Sequence, residues 1–141
     1  MVKRKIRVVF DTNVWISFLI GKRLSRIIKP ISDGRIVLII TDQILNEIKF
    51  VTARDKMKKF FPKERVIELI DLLEAIAENV DVKSENTFCR DAKDNFLFDL
   101  ISQSKADYLV TGDKGLLEHH PFKTTEIVSP ADFDKVIRVH F

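Results

Sequence analysis

Cysteine is nearly absent from this chain. Cys89 is the single one among 141 residues, so no intrachain disulfide holds the fold. One cysteine also fits a reducing compartment, and a cytoplasmic protein is expected. Proline and glycine number 4 each, too few for a linker or a low-complexity chain. No apolar run approaches the ~18 residues of a membrane span. The opening MVKRKIRVVF is basic and then apolar, but its apolar run is too short for a signal peptide and meets Asp11 at once. Histidine is sparse as well. His119, His120 and His140 have no ligand spacing with Cys89, which argues against a zinc site.

What is present can build a core. Apolar residues make up 45% of the chain and 11 of them are phenylalanine; the length suits one domain, residues 1–141. The net charge of +3 hides an asymmetry. Residues 1–65 hold 16 basic and 6 acidic residues, a net of +10, and residues 66–141 hold 8 and 15, a net of −7. A mixed charged surface accounts for this as well as the alternative does, which is a basic rim for a polyanion beside an acidic pocket for cations.

Strand and helix signals alternate along the whole length. Ile6 to Phe10 and Ile36 to Ile40 read as short buried strands, β-branched and nearly continuous. VWISFLI follows the first, with a break at Gly21 and a helical piece, Leu24 to Ile28, troubled by Pro30. A helix capped by Thr41 or Asp42 carries the stripe Ile44, Ile48, Val51. Pro62 suits a first helical position, and Val66, Leu69, Ile70, Leu73, Ile76, Ala77 and Val80 keep helical spacing after it. NVDV, near Val80 and Val82, is a candidate third strand. An open stretch from Ser84 to Arg90 precedes a helix opened by Asp91 or Asp94, with Leu97, Phe98 and Ile101 on one face. Asp107 to Thr111 and the run EIVSP complete the strands, and Ala131 to Val139 a last helix. This alternation predicts a parallel sheet with helices on both faces, a three-layer α/β/α architecture.

Such sheets bind ligands beyond the C-terminal ends of their strands. Asp11 and Asp113 each follow a strand, Asp94 opens a helix, and Glu47 falls about 60° from Ile44 on its helix, at the margin of the buried face. Each acid alone has a plainer role: a turn residue for Asp11 and Asp113, a helix cap for Asp94, a solvated position for Glu47. As a set they fall where a site belongs. Two like charges ~4 Å apart repel by about 4 kcal/mol at an effective dielectric of 20, which a divalent ion offsets. An all-oxygen ligand set favours Mg²⁺ or Mn²⁺.

The motifs FDTNVWIS, TDQILNEI, CRDAKDNFLFDLI, ADYLVTGDKGLL and SPADF occur in that order over nearly the whole chain. In these pieces the sequence resembles a PIN-domain ribonuclease of the kind found as the toxin of toxin–antitoxin pairs. The resemblance implies a sheet of about five strands ordered 3-2-1-4-5 and a Mg²⁺- or Mn²⁺-dependent endonuclease acting on single-stranded or structured RNA. It also implies an antitoxin protein as partner. Carried over by motif, the catalytic and metal-binding acids are Asp11, Glu47, Asp94 and Asp113. Asp91 competes with Asp94 for the third place, or supports it, and Asp99, about 140° further around the helix, is left out. Asn13 and Thr111 are expected to orient ligands or waters, or to make turn hydrogen bonds. A homodimer is expected as the commonest symmetric assembly. The basic half offers Lys22, Arg23, Arg26, Lys49, Arg54, Lys56, Lys58 and Lys59 for RNA phosphates. The alternatives are a non-catalytic RNA- or partner-binding module of the same fold, and a phospho-aspartate phosphatase. The last wants a second Asp two residues after Asp11, where Asn13 stands.

Overall fold

Residues 5–21, 29–84 and 92–140 are described by a computed structural model. The expectations for Lys22, Arg23, Arg26, the helical piece 24–28, Cys89 and Asp91 lie outside the described residues, as does most of the Ser84 to Arg90 stretch. In chain order the elements are β1 (Ile6–Phe10), α1 (Thr12–Gly21), β2 (Ile36–Ile40), α2 (Asp42–Thr52), α3 (Lys63–Ile76), β3 (Glu78–Asn79), α4 (Ala92–Gln103), β4 (Tyr108–Val110), α5 (Lys114–Leu117), β5 (Glu126–Val128) and α6 (Pro130–His140).

The five strands form one sheet in the order β3-β2-β1-β4-β5, and every pair in it is parallel. β1 is central because it is apolar throughout its second half. Val8, Val9 and Phe10 are all buried, although successive side chains point to opposite faces. Both faces of the sheet are therefore covered, which only helices on each side provide in a parallel sheet. Val9 pairs with Ile39 on one side and Leu109 on the other. The core closes over the end of β1 with aromatic rings. Phe10 meets Trp15 edge-on at 5.1 Å and Phe133 of α6 at 5.5 Å.

Of the two candidate caps Thr41 is the one that caps α2: its hydroxyl accepts from the Ile44 amide at 3.0 Å. Other boundaries differ from expectation. Pro62 stands one residue before α3, at its N-cap. α3 stops at Ile76, and Ala77 turns to extended backbone although Ala77 and Val80 keep the helical spacing. Their burial comes from the sheet edge instead. β3 begins one residue before NVDV and ends at its first residue, at Glu78 and Asn79, and the Val80 amide still donates to Ile40. α5, a single turn after β4, has no counterpart in the sequence pattern.

Candidate active site

The chain leaves β1 toward β2 and β3 on one side, then returns to lay β4 and β5 on the other. That reversal opens a crevice between the C-terminal ends of β1 and β4. Asp11 and Thr111 stand across it, each the first residue beyond its strand. The Asp11 amide donates to Val110 at 3.1 Å, which seams the two strand ends together.

Asp11 ends the strand and starts the helix. Its Oδ1 accepts from the Val14 amide at 2.9 Å, an N-cap bond for α1. Its Oδ2 accepts from the Thr111 hydroxyl. The Thr111 oxygen in turn accepts from the Asp113 amide at 3.1 Å. Thr111 is fully buried, so this one hydroxyl locks the position of Asp11 against the backbone that carries Asp113. Asp113 also caps α5, its Oδ1 accepting from the Gly115 amide at 2.8 Å. On the far wall Glu47 of α2 is half-buried, and its Oε2 accepts from the Thr12 hydroxyl at 2.7 Å. Asp94 lies in the first turn of α4.

These groups line one cleft of about 310 Å³, with Asp11, Glu47, Asp94 and Asp113 all on its walls, beside Thr12 and Asn13. Asp99 is buried elsewhere and does not line it. A larger groove of about 930 Å³ runs between α2 and α3. It is walled by Phe61, Val66, Ile67 and Ile70 and receives none of the strand-end acids, so its size does not make it the chemical site.

Of the basic residues, Arg54 lines the acidic cleft. Lys49 and Lys58 line the other groove instead. Lys56 and Lys59 are exposed on the α2–α3 connection. Asn13 lines the cleft as an exposed residue of the first turn of α1, and the turn bond assigned to this stretch is made by Asp11 itself. Sequence reasoning missed three cleft residues: the Thr12 hydroxyl on Glu47, Phe50 and Phe96. Phe50 was legible, three residues beyond Glu47 on the same helix, a spacing that shares a face.

Burial raises the Asp11 carboxyl above its ordinary 3.8, and the charge of Asp113 adds to the rise. The Thr111 hydroxyl and the Val14 and Asn13 amides pull the other way, without cancelling it. The folded state therefore holds a proton on Asp11 at pH values where the unfolded chain has lost it. Below 3.8 both states are protonated. As pH rises from 3.8 through the raised folded value, stability is lost, and above that value the loss is complete. In metal-free protein, the melting advantage of Asp11→Asn over the parent should open above pH 3.8 and then level off. A difference that stays flat from pH 3 to 8 would show that Asp11 ionises as freely in the fold as outside it.

The donors are carboxylates and hydroxyls, a hard, all-oxygen set that suits Mg²⁺ or Mn²⁺ and not a thiophilic ion. Among the described residues no three His, Cys, Asp or Glu side chains gather tightly enough to enclose an ion. The N-terminal ends of α1 and α4 face the acids. Each offers roughly 0.3–1 kcal/mol to a carboxylate beside it.

Comparison with known proteins supplies the context. A family profile described as "PIN domain" matches residues 7–115. An uncharacterized protein of Methanocaldococcus jannaschii is 33% identical over 120 residues, which is 83% of this chain and 77% of that protein. Among solved structures, the PIN domain endonuclease Utp24 aligns with a TM-score of 0.53 at 18% identity, covering 87% of this chain and 84% of the other. At that identity the likeness concerns the fold.

Proposed function

As this chain belongs to the PIN-domain family, whose members are in general nucleases, we propose that it is a divalent-metal-dependent endoribonuclease. The observation that carries the proposal is the cleft. Four carboxylates, two from strand-end connections and two from helices, line one crevice at the switch point of a parallel sheet. A pure binding module gains little from four carboxylates lining one crevice.

Asp11 and Asp113 would hold Mg²⁺ or Mn²⁺, with Glu47 and Asp94 on the facing walls. The ion supplies charge for the phosphate oxygens and a more acidic bound water. The protein's own part is positioning. Thr111 fixes Asp11 relative to Asp113, and Thr12 fixes Glu47. Incubating the purified chain with a mixed RNA pool in Mg²⁺, Mn²⁺ or EDTA tests this. Cleavage with either ion and none in EDTA is expected. Binding without cleavage in all three would favour the non-catalytic module.

The narrower reading, a toxin acting in the cytoplasm and held in check by an antitoxin protein, is supported by the order of the motifs alone. Expression without a partner should arrest growth, and expression of Asp11→Asn should not. Equal growth with both would remove the toxin assignment and leave the nuclease untouched.

Lys56, Lys58 and Lys59 form a cationic run on the α2–α3 connection, and Arg54 brings that run to the cleft. We assign them to RNA phosphates. Single-strand binding loses about 0.7 of a log unit in slope for each contact removed, so replacing all three lysines should flatten the salt dependence by about 2. Filter-binding or anisotropy titrations at graded salt would read it. An unchanged slope makes the run an ordinary solvated surface; Lys58 already pairs with Asp55 at 3.2 Å.

A further inference from the structure

α2 does more than deliver Glu47. Glu47, Phe50 and Val51 share one face of the helix, and with Arg54, just past its end, they line the acidic cleft. Arg54 follows the end of α2, two residues past Thr52, and turns back over the ring of Phe50. The wall of the cleft therefore carries an acid, an aromatic ring and a guanidinium together.

Phe50 is 68% exposed, while Ile44, Leu45 and Ile48 on the same helix are buried. A single exposed phenylalanine needs no explanation by itself. This one has three particular neighbours. It opens onto the cleft that carries the four acids. The Arg54 guanidinium lies over its ring, 5.3 Å from the centroid. A second ring, Phe96 of α4, lines the same cleft two residues from Asp94. Rings that take bases by stacking, next to arginines that take phosphates, are how proteins hold unpaired nucleotides. A duplex keeps its base faces inside the stack and offers no such surface.

We propose that Phe50 and Arg54 form a nucleotide subsite at the mouth of the cleft, where Phe50 stacks an unpaired base beside the scissile phosphate and Arg54 pairs with the neighbouring phosphate. The guanidinium covers one side of the ring, and the base takes the open side. The proposal rests on the ribonuclease reading for what lies deeper in the cleft. It adds the residues that would make this chain prefer an unpaired nucleotide at that place.

The test uses the full-length chain in EDTA, so that binding is read without cleavage. The probes are a short single-stranded RNA carrying 2-aminopurine and the same sequence in a duplex. Phe50→Ala should weaken single-strand binding about tenfold or more and leave the weaker duplex binding unchanged. Phe50→Trp should restore binding and quench the 2-aminopurine. Arg54→Ala should lower the salt slope by about 0.7. With Mg²⁺ present, Phe50→Ala should raise KM with little change in kcat. Melting temperatures equal to the parent's are expected, since the ring is exposed. Equal binding by Phe50→Ala and parent, no rescue by Phe50→Trp, or parallel loss on duplex would each overturn the subsite. So would an absence of RNA binding. Phe50-dependent binding with no cleavage in any metal would leave the subsite standing and remove the nuclease.

Discussion

Asp11→Asn is expected to cut RNA cleavage by a factor of ~100 or more, which corresponds to about 2.7 kcal/mol of lost transition-state stabilisation. Asparagine keeps the size and an acceptor oxygen but loses the charge, and it is a poorer ligand for a hard cation. The same change should leave the metal-free protein as stable as the parent or more so. Burial and Asp113 both disfavour the charged carboxyl. The amide oxygen can keep the bond from Val14, and the Thr111 hydroxyl can turn to accept where it now donates. The stabilisation that Mg²⁺ or Mn²⁺ adds should shrink, because it scales with affinity. Melting curves with and without metal, run beside a cleavage assay, read all three effects. A variant that melts well below the parent without metal would mark Asp11 as a structural cap first. One that cleaves at the parent rate would end the ribonuclease reading of this crevice.

Phe10→Ala should have the largest effect on stability. Phe10 is 1% exposed and wedged between Trp15 and Phe133. Deleting such a ring costs about 3–5 kcal/mol, transfer and cavity together. Against a typical 5–15 kcal/mol for a whole domain, that is a large share, and a fall in melting temperature on the order of 10 °C or more follows. The position also touches chemistry, since Phe10 is the last residue of β1 and Asp11 is the next. Where the variant still folds, cleavage should fall more than the folded fraction does. Phe10→Leu fills more of the space and should recover most of both. If alanine costs under 1 kcal/mol by denaturant titration, the aromatic cluster over the strand end is not packed as described.

β1, β2 and the acid after each central strand were legible because a continuous β-branched run that stops at an aspartate has few other readings. Strand alternation with helices predicted the layers. The order 3-2-1-4-5 came from motif resemblance, since nothing in periodicity distinguishes which neighbour a strand chooses. β3 was misplaced for a physical reason. Apolar pattern marks Val80 and Val82, which are half-buried, while the ladder is made by the backbone of Glu78 and Asn79, whose side chains are exposed. α3 was overextended by Ala77 and Val80, which the sheet edge buries without continuing the helix. α5 is too short to have a period. The hydroxyls of Thr12 and Thr111 act across 35 and 100 residues of chain, a distance over which one sequence carries no signal. The lysines were readable as charge but not as direction; Lys49 and Lys58 line the groove beside the cleft.

The sheet ends in strands of two and three residues, β3 and β5. A free strand edge normally invites another chain to add itself. Here the invitation is thin. Two or three docked residues return roughly 0.5–1.5 kcal/mol per hydrogen bond, while fixing each incoming residue costs about 1–2 kcal/mol in backbone entropy. Strand addition therefore runs uphill at both rims. A sheet built wholly of parallel strands, slow to assemble and apolar on both faces, is protected from growing into its neighbours by how little of its border it leaves to copy.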